Sequence, residues 1–266
     1  MSENKFKYVT VTAVIVANMV GTGVFTSLGF QLLDITSGFA LLSLWVLGGL
    51  TALCGAISYA ELGATLPRSG GEYNFLSQIY HPAAGFVSGW ISMSVGFAAP
   101  TALAAMTFSA YLTSSLFGDV PNFLEKFIAV GLLVTLAAVH STNHRNSGRT
   151  QTVFTTLKVL VILLFIVASL TVVTTPQPIS FLPKVGDVQL ITSGAFAVAL
   201  IYVSFAFSGW NAATYLSSEI DNPQKTLPLV LISGTSIVTL LYLGLNYVFL
   251  YTCLLYTSDA ATKRIV

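Results

Sequence analysis

The chain has 266 residues, 55% of them hydrophobic and only 8% charged, at a mean hydropathy of +0.81. Soluble domains carry about 25% charged residues, so the composition is that of an integral, multi-pass membrane protein in contact with lipid. A net charge of +1 without a basic aromatic patch gives no footing for a nucleic-acid partner, and Cys54 and Cys253 form no disulfide or metal spacing, so no metal or cofactor is expected.

Residues 1–7 are short and polar, and the apolar run that follows, 8–33, is too long for a cleaved signal peptide. A membrane-crossing helix needs about 20 apolar residues, so this run can span. In its middle stand Val20, Gly21, Thr22, Gly23, Val24 and Phe25. Glycine is roughly 1 kcal/mol worse than alanine in a helix, and two so close invite the backbone to leave it. Non-helical backbone at that depth is tolerated only where it is buried in protein or lines a cavity. A break there aims the N–H groups and positive dipole end of the second half-helix into the gap, which suits a carboxylate. The first half ends in carbonyls, which suit an ammonium group. Close helix packing is the simpler use of small residues in a bilayer, and a nucleotide loop is excluded because Thr26 stands where a third glycine would be required.

Six further spans are predicted, over 37–65, 83–117, 123–139, 150–174, 190–217 and 227–252. A turn-rich loop runs from Leu66 to Tyr73, a polar loop covers 140–149, and Pro176, Pro178 and Pro183 mark another. With the N-terminus in the cytoplasm, the inner side receives Lys5, Lys7, Arg68, Arg145, Arg149 and Lys225, and the outer side only Lys126 and Lys184. Positive charge favours the cytoplasmic side, which sets this orientation.

Span six repeats the oddity of span one, with Ser208, Gly209 and Asn211 inside an apolar run that starts before Phe205. Two interrupted helices, five spans apart, point to a transporter built from inverted five-helix repeats. The first repeat is placed at about 8–175 and the start of the second at about 190–252, within one transmembrane domain over 1–252.

Lys158 lies inside span five, and a lysine within a span marks function by default. It is nine residues past Arg149, roughly 13 Å along a helix, so snorkelling to the membrane edge is the alternative. Its ammonium would stand in for a bound sodium ion or carry a proton. Lesser features have plainer readings: Glu61 as a helix-end partner for Arg68, Gly85 and Gly89 as helix packing, and His140 and His144 as loop residues without a carboxylate beside them.

A membrane-embedded enzyme would need a metal or nucleophile constellation, and none is present in the spans. A channel would line whole helices with polar groups, whereas here polarity gathers at two breaks.

Four motifs together resemble the amino acid–polyamine–organocation superfamily, and within it a bacterial amino acid permease near the L-type exchangers. They are Gly21 to Phe25, Pro67 to Tyr73, Phe205 to Asn211, and Glu219 to Gln224. The resemblance implies an all-α, leucine-transporter-type 5+5 inverted repeat and transport of neutral or small amino acids by alternating access, through sodium-independent exchange or with protons as the coupling ion. A polyamine or organic-cation transporter of the same fold is the alternative. It also implies that the substrate carboxylate meets the backbone of Gly21, Thr22 and Gly23, and that the amino group meets carbonyls at Met19, Phe205 and Ser208. Phe205 falls at an aromatic gate, and Lys158 at the position that replaces a sodium site. Such a protein has about ten core spans or more, while the second repeat here stops after its second helix. The tail 253–266, beginning Cys253-Leu254-Leu255-Tyr256, looks like translated sequencing adapter. The expectation is therefore a C-terminally truncated fragment, inactive by itself.

Overall fold

A computed structural model describes residues 5–118, 121–142, 144–174 and 177–252. The tail 253–266 and Pro176 lie outside the described residues, as do the side chains of His144 and Arg145.

Among the described residues the architecture is all-α. The first crossing comes in two pieces, α1 (Tyr8–Met19) and α2 (Gly23–Gln31), with Val20, Gly21 and Thr22 non-helical between them. Six helices are long and apolar enough to cross a bilayer unaided or in continuous succession. The first is α3 (Gly38–Thr65). The next is a composite of α5 (Pro82–Ile91), a π-helical stretch (Ser92–Ala98) and α6 (Ala99–Leu116). Then come α7 (Asn122–Thr142) and α8 (His144–Val172). The fifth of these, which is the chain's sixth span, is α10 (Gly194–Ala206) continued by a 3-10 segment (Trp210–Glu219), and the last is α11 (Pro223–Thr252). Two short helices, α4 (Glu72–Ile79) and α9 (Asp187–Ile191), sit in connections.

Local chemistry starts these helices where they start. Ser37 Oγ accepts from Ala40 N (3.3 Å) ahead of α3, and Ser193 Oγ from Phe196 N (3.2 Å) ahead of α10. Each satisfies one of the N–H groups that a helix leaves without an internal partner. Pro82 opens α5 behind His81, whose Nδ1 accepts from Ala83 N (3.1 Å).

Two sequence expectations need correction. The polar loop over 140–149 is largely helix, because α7 runs to Thr142 and α8 begins at His144. Polar residues there extend the two helices rather than ending them, and Gly148 packs against Phe6 and Thr10. The loop after α3 is shorter than expected, since α4 begins at Glu72. The expected packing role of Gly85 and Gly89 is met: α5 lies so close to α4 that a Cβ on Gly85 would run into Ser77 and the Tyr73 carbonyl.

The core is the four-span bundle of α1/α2, α3, α10 with its 3-10 segment, and α11. Small residues let its backbones approach, with Gly49 against Thr239, Gly48 against Val203, and Gly234 against Ile15. In the most apolar stretch of α3 and of α11, 44% of residues are buried, against 6% in the third and fourth spans, so the bundle carries most of the internal packing. Before α1, Phe6 pairs in parallel with Ile220: Phe6 N donates to Glu219 O (2.8 Å) and Asp221 N donates to Phe6 O (3.0 Å). The start of span one and the end of span six thus share one face, called here the N-terminal face.

Candidate functional site

Both predicted breaks are present, and they touch. Span one leaves the helix at Val20, Gly21 and Thr22, and span six turns at Phe207, Ser208 and Gly209. A Cβ on Gly23 would lie 3.3 Å from Ala206 Cα and 3.8 Å from Phe205 Cδ1. Gly209 has φ +98°, and a Cβ there would sit 3.0 Å from the Asn18 backbone. That backbone region strongly favours glycine, and no side chain would fit in it here.

Two side chains from other spans hold the end of α1. Lys158 Nζ, from α8, donates to Val20 O (2.7 Å) and Ala17 O (3.3 Å). These are carbonyls of the last turn of α1, the negative end of its dipole, where a cation is favoured. One turn earlier on α8, Thr155 Oγ1 lies 3.3 Å from Ala13 O. The lysine ammonium therefore occupies a carbonyl cage at the break. Tyr242, fully buried on α11, places its hydroxyl 2.6 Å from Met19 O and 3.1 Å from Ala206 O. A phenol has a single proton, so the shorter contact to Met19 takes most of it while Ala206 shares it. One hydroxyl thus ties the end of α1 to the end of α10.

The residues predicted for the site fall as follows. Gly21 and Thr22 are exposed, Gly23 is half-buried, and no atom outside the local chain lies within 4 Å of a Cβ built on Gly21. The Met19 carbonyl is engaged by Tyr242 and by Gly21 N (2.9 Å). The Phe205 carbonyl accepts from Ser208 N (3.0 Å), its ring is 68% exposed, and Ser208 is exposed. Two residues apart from Phe205, Phe207 is buried instead, with ring centroids 5.0 Å from Tyr242 and 6.0 Å from Trp45. Sequence reasoning missed Tyr242, although a tyrosine deep in an apolar span signals a buried hydroxyl that needs a partner.

The amino acid permease family profile matches residues 6–256. The chain is 31% identical over 246 residues to the large neutral amino acids transporter small subunit 2 of Oryctolagus cuniculus, covering 91% of this chain and 46% of that protein. It is 31% identical over 242 residues to the Asc-type amino acid transporter 1 of Mus musculus, covering 90% and 46%. It is also 28% identical over 236 residues to the b(0,+)-type amino acid transporter 1 of Homo sapiens, covering 88% and 48%. The chain thus spans about half the length of the curated relatives it matches. These relatives are named as transporters, not enzymes, and the apolar helices make this a multi-pass membrane protein. The chain belongs to the amino acid permease family.

Proposed function

We propose that the protein carries a neutral or small amino acid across the cytoplasmic membrane by alternating access, as a sodium-independent exchanger. The observation that carries this reading is the exposed, non-helical backbone at Gly21 and Thr22, lying beside a second break in span six. The N-terminal N–H groups of α2 suit the substrate carboxylate, with Gly21, Thr22 and Gly23 as its contacts. Carbonyls at Met19, Phe205 and Ser208 suit the amino group, and Phe205 is the gate over it. Because Met19 O also accepts from Tyr242, the substrate amine and that hydroxyl share one acceptor. Lys158 supports sodium independence, since its ammonium already neutralises the carbonyl end of α1. The names of the relatives, for large neutral and Asc-type amino acids, favour a neutral substrate. Lys5, Lys7, Arg68, Arg149 and Lys225 favour a cytoplasmic N-terminal face.

The test is uptake of labelled amino acids into liposomes holding the complete gene product that carries this sequence. Exchange predicts uptake that requires internal amino acid and is indifferent to a pH gradient. Uptake driven by the gradient alone would replace exchange with proton symport through Lys158. If no amino acid moves, the substrate class is wrong, and polyamines or organic cations are next.

A further inference from the structure

The segment between α3 and α5 is not used by the substrate reading, yet it grips span six. Gly71 has φ +53°, and a Cβ on it would lie 2.8 Å from the Tyr215 ring and 3.0 Å from Thr214 Oγ1. Gly71 N donates to Thr214 O (3.2 Å), and Ser69 and Ser218 exchange backbone-to-hydroxyl hydrogen bonds of 3.2 and 2.8 Å. The two glycines before Glu72 therefore let this segment lie flat on the 3-10 half of span six. That contact delivers the Glu72 carboxylate into a ring of donors. Asn211 Nδ2 donates to one oxygen and the Tyr215 hydroxyl to the other. Tyr59 of α3 lies beside the same carboxylate. Ser92, at the start of the π-helical stretch, stands 2.9 Å from the Tyr215 oxygen; since the phenol proton goes to Glu72, Ser92 donates. The carboxylate, directly and through Tyr215, thus links spans two, three and six.

We propose that Glu72 is a positioning residue for transport, a latch that holds the 3-10 half of span six against the α3–α5 connection and keeps the path to the N-terminal face shut. Ala212, Ala213, Thr214 and Ser217, which lie between the break and the N-terminal face, are buried, whereas Ser208 at the break is exposed. Asn211 follows the break by two residues, so the same carboxylate also fixes a polar side chain close to the break in sequence. Removing the carboxylate takes away the acceptor of both Asn211 and Tyr215, so releasing the latch shifts the population toward the state open at the N-terminal face.

The latch rests on the transport reading and is tested beside it in the complete gene product. Glu72→Ala and Tyr215→Phe, the latter removing only a hydroxyl in case the former fails to fold, are compared with wild type in oriented proteoliposomes. A population shift raises the apparent KM from the outer side about tenfold for Glu72→Ala and lowers or leaves unchanged that from the N-terminal face. A fall in maximal rate with both KM values unchanged overturns the latch. Trypsin cleavage after the exposed Arg68, followed in detergent, needs no substrate and stands even if wild type moves no amino acid. Faster cleavage in both variants supports the latch, and rates equal to wild type overturn it.

Discussion

The two breaks reach similar openings by different physics. In span one, both halves remain α-helical and the gap is three residues, pinned from outside by Lys158 on Val20 and Ala17 and by Tyr242 on Met19. In span six, the α-helix gives way to a ten-residue 3-10 segment, pinned by shape: Gly209 lies against Asn18, and Phe207 against Trp45 and Tyr242. The first break is held by charge and hydrogen bonds and leaves its backbone open. The second is held by close contact and carries the connection to Glu72. Under the proposed function, a ligand meets the first, and motion is transmitted through the second.

The largest expected effect breaks the second site by shape alone. Gly209→Ala combines a left-handed conformation, worth about 1–2 kcal/mol against an L-residue, with overpacking on Asn18 worth about 1–3 kcal/mol. The purified variant should lose roughly 3 kcal/mol, seen as a lower Tm. The first site breaks by electrostatics: Lys158→Met leaves two carbonyls at the end of α1 without their donor, about 1–3 kcal/mol for the pair. Exchange should fall about 10²-fold, by the rule of roughly 1.4 kcal/mol per decade.

Gly21→Ala sharpens the contrast. Space is open around a Cβ there, so thermal stability should stay within about 0.5 kcal/mol of wild type. If the substrate carboxylate approaches that backbone, KM rises about tenfold while Tm stays put; an unchanged KM would remove Gly21 from the site. Tyr242→Phe removes only the hydroxyl shared between Met19 and Ala206, with an expected loss of about 1 kcal/mol. Since Lys158 and Tyr242 hold the same end of α1, their double variant should be non-additive in a thermal-melt cycle.

The smallest effect lies far from both breaks. The Asp187 carboxylate accepts from Lys184 N (2.6 Å) and is hydrogen-bonded by Ser37, which together hold it below the usual carboxylate range. A depressed carboxylate contributes stability that is present above its unfolded value of about 3.9 and is lost as pH falls through its lower folded value. The Tm difference between wild type and Asp187→Asn should therefore be constant near neutrality and shrink in acid.

Both breaks were legible in the sequence because glycine, serine and asparagine stand out in an apolar run, and Lys158 because a charge inside a span is rare. What stayed hidden depends on distant partners: Tyr242 meets Met19 across 223 positions, and Glu72 meets Asn211 across 139. The loop over 140–149 was misjudged because polarity marks the membrane edge, not the end of a helix. The π-helical stretch has no sequence mark beyond Gly96 and a nearby Pro100, and the contact of Ser92, its first residue, with Tyr215 emerged only in three dimensions.

The pairing of Phe6 with Ile220 has a mechanical consequence. The extended residues before α1 are tied to the chain just beyond span six, so the two broken spans share a common footing. Spin labels at Lys7 and Asp221 should keep one separation throughout a transport cycle, while their distance to a label on α7 varies. A bulky fusion placed directly before Phe6 would load both arms of that lever together.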